Sequence, residues 1–188
     1  MKSLFNLLLL TTCLLMVACK PSPQKAEAYY DRATEPVRNV LLKEDLLIQI
    51  ITSDTNKSQK ASILNKLDTA KNIGNFKELD LAFNNFNYQI ATSLNATKDL
   101  PEFDGSNTVK NAALDLLNAY QSVSKNEYAQ LIAVIKIAPA DYTNEDDKRL
   151  LDLTEKIDTK LQDKISAFTK QIKVFATNYK FELQKDSI

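Results

Sequence analysis

The chain reads as all-α: an up-down-up-down four-helix bundle of long helices, set behind a short apolar leader. Three observations predict this. Punctuation is scarce, with two glycines, Gly74 and Gly105, and only Pro36, Pro101 and Pro139 as prolines beyond the first 25 positions. An all-β fold needs a turn signal about every 8–12 residues, which this chain does not supply. Apolar side chains recur at steps of three and four through four long stretches. About 170 residues follow the leader, which is one domain with enough length for a core.

The first helical stretch runs from about Gln24 to Ile51, with Ala26, Tyr30, Ala33, Val37, Val40, Leu41, Leu47 and Ile51 at helical spacing. Pro36 lacks a backbone donor, so it either kinks this helix or marks a start at the first helical position with Thr34 as cap. Thr52 to Asn56 is a polar turn. The second stretch spans Lys57 to about Lys98, and Phe76, Leu79, Phe83, Phe86, Ile90 and Leu94 form its apolar stripe. Gly74 costs about 1 kcal/mol in a helix interior, so a bend or short break is expected there. Leu100-Pro101 ends this stretch, and Glu102 to Ser106 is a loop.

The third stretch follows Gly105 with Ser106 as a plausible cap. Val109, Ala113, Leu116, Tyr120 and Val123 are continued by Tyr128, Leu131, Ile132 and Ile135, and Pro139 stops the helix. Thr143 followed three residues later by Asp146 has the capping signature, and Glu145, Asp146 and Asp147 suit the positive end of a helix dipole. The fourth stretch, Asn144 to about Leu183, spans roughly 60 Å. Leu150, Ile157, Leu161, Ile165, Phe168, Ile172, Phe175 and Tyr179 lie along it at a spacing that departs from a strict heptad, so no strong supercoil is demanded. Short connections between antiparallel neighbours give the bundle.

The leader, residues 1–18, has a positively charged start and an uncharged run from Leu4 to Ala18. At about 15 residues that run is short for a membrane span, which takes roughly 20. Leu15-Met16-Val17-Ala18-Cys19 resembles a bacterial lipobox, with Met16 where that class usually has Leu. The resemblance implies removal of the leader, a diacylglycerol thioether on Cys19 and acylation of the new amino group. Lys20 stands where, in the best-known sorting rule, an Asp retains lipoproteins in the inner membrane, so the outer membrane is favoured. An ordinary signal peptide cut at Ala18 would instead leave Cys19 as an unpaired thiol in an oxidising compartment. An uncleaved anchor would leave no acyl chains. Residues 19–25 read as a stiff tether carrying Pro21 and Pro23, and 26–188 as the bundle.

Loss of Lys2 with the leader leaves 23 basic against 24 acidic side chains, a balance that points to neither nucleic acid nor anionic lipid. No histidine is present. That removes Ser-His-Asp and Cys-His arrangements, imidazole metal ligands and the Glu-x-x-His pairs of di-iron bundles. With Cys19 acylated no thiolate remains for zinc or haem, and two isolated glycines make no phosphate loop. Glu145-Asp146-Asp147 lacks the spaced oxygens of a calcium loop and is better explained as a helix start. Asn84, Asn85 and Asn87 around Phe86 read as a solvated face in preference to a polar pocket. Phe76, Phe83, Phe86, Phe168 and Phe175 read as packed core in preference to a ligand enclosure. Tyr29 and Tyr30 are split between a first core contact and a place at the bilayer surface.

The lipobox, the Phe103-Asp104-Gly105-Ser106 loop leading into VKNAALDLLNAY, and the FATNYKFEL stretch are similar to those of small all-helical bacterial surface or periplasmic lipoproteins. That resemblance implies no known reaction and no cofactor. The expectation is a membrane-tethered, non-catalytic interaction or scaffold module of the cell envelope, held by the lipid on Cys19, with a protein partner and no nucleic acid. The alternative is a carrier that takes a lipid or other apolar ligand within the bundle.

Overall fold

The computed structural model describes residues 20–52, 76–138 and 140–183. The lipobox with Cys19, the expected break at Gly74, the Lys57-to-Asn75 part of the second stretch and Pro139 lie outside the described residues. Helix α1 spans Pro23–Thr52, α2 Phe76–Lys98, α3 Thr108–Val123, a π-helical turn Ser124–Tyr128, α4 Ala129–Ile135 and α5 Asn144–Tyr179. α3, the π turn and α4 follow one another without interruption, so among the described residues four rods make the bundle. α1 packs on α2, α2 on α3, and α3 on α5, while α1 also meets α5 and closes the ring. Tyr29 near the start of α1 touches Phe103, just past α2, and Phe175 late in α5, which fixes neighbouring rods as antiparallel.

Helix α1 begins earlier than the tether reading of residues 19–25 allows. Ser22 caps it, accepting the Lys25 N–H at 3.4 Å through its hydroxyl and the Ala26 N–H at 3.1 Å through its carbonyl. Pro23 takes the first helical position, where its missing N–H costs nothing. The non-helical part of the tether among the described residues is thus only Lys20 to Ser22. Pro36 neither starts nor breaks the helix, so Thr34 is no cap. The Thr34 hydroxyl donates back to the Tyr30 carbonyl at 2.9 Å within a continuous α1.

The core is one continuous cluster. Leu47, Leu79, Phe86, Leu116, Leu117, Tyr120 and Phe168 have no exposed surface. Burial of such a side chain contributes about 1.5–3 kcal/mol relative to leaving it in water. Between α2 and α3 the chain makes a two-residue hairpin, with Phe103 and Ser106 exchanging both backbone bonds at 3.0 Å. Asp104 and Gly105 both have positive φ (53° and 70°), as a type I′ turn requires. Ser106 is accordingly part of the hairpin; Asn107 is the residue before α3, and its side chain makes no cap bond. The Ser106 hydroxyl still accepts the Thr108 N–H at 3.2 Å.

Helix α5 starts as its capping signature predicts, with the Asp146 carboxylate accepting the Thr143 N–H at 2.9 Å and its hydroxyl at 2.7 Å. Its end falls at Tyr179, four residues short of the expected Leu183. Lys180 adopts the left-handed conformation (φ 58°, ψ 47°), and its N–H reaches the Thr177 carbonyl while the Phe181 N–H reaches Ala176 at 3.2 Å. This is a Schellman stop built on lysine. It turns Phe181 back onto Tyr30, with ring centroids 5.5 Å apart.

Candidate functional site

A carboxylate sits inside the apolar stripe of α1. Glu44 follows Val40 and precedes Leu47 at steps of four and three, so helical geometry carries it into the core, where it is 9% exposed. Tyr120 of α3 donates its hydroxyl to one carboxylate oxygen at 2.9 Å, and Tyr128 of the π turn donates to the other at 2.7 Å. Phe86 packs edge-on against both phenol rings at 6.2 and 5.5 Å. Burial pushes the Glu44 carboxyl above the ordinary range; the two phenol donors oppose this, and the negative charges of Asp45 and Asp158 add to it. Both phenols are also pushed up, by burial first and then by Glu44.

The π turn extends this polar layer sideways. Ser124, fully buried, donates to the Asn87 side-chain oxygen at 2.6 Å, and the Asn87 amide in turn donates to the Phe83 carbonyl at 3.1 Å. Glu127, 7% exposed, accepts from Lys160 of α5 at 2.6 Å, and its second oxygen has no partner among the described residues. π turns occur often at functional sites, and a carboxyl of raised pKa is the type of group that exchanges protons in catalysis. Here both Glu44 oxygens are occupied by phenols and the group is nearly sealed. The arrangement therefore works as a clamp tying α1 to the third rod. A cavity of about 50 Å³ borders Tyr128 and Asp158, enough for one or two waters.

A second locus lies at the end of the bundle that carries Pro23. The ring of Phe103 stacks on Tyr29 at 4.8 Å and meets Phe175 and Tyr179 edge-on at 5.5 and 5.2 Å. Asp104 of the hairpin accepts the Tyr179 hydroxyl at 2.7 Å, and burial together with that carboxylate pushes the phenol up to about 12. These four rings border a cavity of about 230 Å³ between α3 and the last turns of α5.

The residues singled out in the sequence scatter across the molecule. Asp146 is engaged by Thr143, and Glu145 pairs with Lys148 at 2.7 Å on the exposed face of the first turn. Asn84 and Asn85 face solvent, whereas Asn87 turns inward to hold Ser124. Phe86 and Phe168 are fully buried; Phe76, Phe83 and Phe175 are half-buried against the same core. Tyr29 and Tyr30 are both core residues, 6% and 3% exposed, so neither lies at a surface. Helical pitch explains this, since adjacent positions both fit a stripe more than 100° wide. Glu44, Tyr120, Tyr128, Ser124 and Glu127 form a site that apolar periodicity alone does not reveal. Its signal is a carboxylate at a stripe position. Comparison with protein-family models, with curated proteins and with solved structures finds no match for this chain.

Proposed function

We propose that this chain is a lipid-anchored helical-bundle module of the bacterial cell envelope that holds a protein partner and carries out no catalysis. The observation that carries the reading is the lipobox ending at Cys19, followed after only three non-helical residues by the first turn of α1. No helix among the described residues is long and apolar enough to cross a membrane, so attachment on this reading falls to the acyl chains. Two or more chains on one cysteine hold firmly, at about 0.8 kcal/mol per buried methylene. The absence of histidine and the enclosure of Glu44 by two phenols support the non-catalytic part of this reading. Lys20 favours the outer membrane.

Metabolic labelling with a palmitate analogue tests the anchor. The wild-type chain is expected to take up label and sediment with membranes, and the Cys19→Ala chain to lose both. Pull-down from intact envelopes tests the partner; failure to recover any reproducible protein with the labelled chain would count against the module reading. The carrier alternative has weaker support within the bundle, because Phe86 and Phe168 are packed against core neighbours.

A further inference from the structure

We infer that the cavity at the Pro23 end of the bundle is a binding site for a small, uncharged aromatic molecule, of the phenol or indole class. This goes beyond the anchored-module reading and stands whether or not Cys19 is acylated.

Four features of the cavity set the chemistry of its occupant. Its volume of about 230 Å³ lies just under the usual range for ligand pockets, so a one- or two-ring molecule fits and a long acyl chain does not. None of its lining side chains is ionisable to a charge near neutrality: the tyrosines Tyr29 and Tyr179 are the only titratable ones, and burial pushes both phenols up. A charged ligand would lose part of its hydration there with no opposite charge among the lining side chains to replace it; Arg32 near Tyr29 and Asp104 on Tyr179 lie outside that lining. The apolar wall is made of rings whose faces and edges favour a flat π-system in offset or edge-on contact over a saturated one. Ser106, Thr108, Gln171 and Asn178 add neutral donors and acceptors, which suit a single hydroxyl, carbonyl or ring N–H on the ligand's edge.

The wall is also held in place before any ligand arrives. Phe103 is fixed by a hairpin with both backbone bonds made, and Tyr179 is fixed by its bond to Asp104 in the same hairpin. Pre-organisation of this kind lowers the entropy lost on binding.

The test uses the purified full chain and three probes of similar size: indole, cyclohexanol and benzoate. Saturation-transfer NMR and titration calorimetry read binding, and intermolecular NOEs locate it. Indole is expected to bind with NOEs to the Phe103 and Phe175 rings, and cyclohexanol and benzoate at least tenfold more weakly. Val174 lines the cavity yet is 46% exposed, so Val174→Trp should fill the space without disturbing the core and weaken indole at least tenfold. Gln171→Leu, a second variant at the polar edge, should weaken indole severalfold. No indole binding at millimolar concentration overturns the proposal. So do benzoate binding as tightly as indole, NOEs to other residues, or undiminished binding in both folded variants.

Discussion

At the scale of single residues, Glu44 is the side chain on which most depends. Truncation by Glu44→Ala leaves the Tyr120 and Tyr128 hydroxyls buried without their acceptor. The expected loss is about 2–6 kcal/mol in urea unfolding, given about 1–3 kcal/mol for each buried polar group left unpaired. Glu44→Gln keeps an acceptor and a donor in the same place and should cost less than half as much. The pH dependence separates charge from shape. Because the folded carboxyl titrates above its unfolded value, its contribution is complete below the ordinary carboxylate range. That contribution fades as pH rises through the folded pKa. Stability of the wild type should therefore fall on raising pH through that window, and Glu44→Gln should flatten that part of the profile. An unchanged slope in the variant would show that another group titrates there. Apolar periodicity did not single the position out, yet Val37, Val40, Glu44, Leu47 and Ile51 keep the helical steps of three and four, with one carboxylate among hydrocarbons.

At the scale of elements, the helices themselves were plain in the apolar periodicity, and their irregularities follow from less conspicuous signals. The stripe of the third rod steps by five from Val123 to Tyr128, where the intervals on either side are three. That surplus residue is absorbed as the π turn. Deleting the exposed Lys125 restores a step of four, so the rod should close into regular α-helix and remain folded. The cost, about 1–2 kcal/mol, should be confined to the buried contacts of Ser124 and Glu127; circular dichroism and urea unfolding measure both, and global unfolding would refute the register argument. The stop at Lys180 had no glycine or asparagine to announce it, and the apolar residues beyond it continue the helical spacing. Tertiary contact of Phe181 with Tyr30 decides the matter. Lysine in the left-handed region is strained relative to glycine. Lys180→Gly should raise stability by up to about 1 kcal/mol, read as an upward shift in melting temperature.

For the whole molecule, the short lead into α1 would, on the proposed anchoring, set how the bundle stands on the bilayer. Lys20 to Ser22 span at most roughly 10 Å, and α1, at 30 residues, rises roughly 45 Å from its first turn. On the proposed anchoring, the hairpin and the last turns of α5 lie close to the bilayer, while the turn before α5 stands away from it. A fluorophore at Asp104 should be quenched by nitroxide-labelled lipid headgroups, and one at Asp141 should not. Equal quenching would mean that the bundle lies flat. This orientation is available only because Ser22-Pro23 starts the helix early; two prolines close together otherwise read as stiff extended chain.

The Schellman stop at Lys180 brings a practical constraint with it. By folding Phe181 back, it places that ring against Tyr30 in the second turn of α1, at the Pro23 end of the bundle. On the proposed anchoring, a carboxy-terminal affinity tag would begin near the bilayer-facing end of the bundle and be harder for resins and antibodies to reach. On the same anchoring, epitopes inserted after Ala140, at the opposite pole, should be easier to reach.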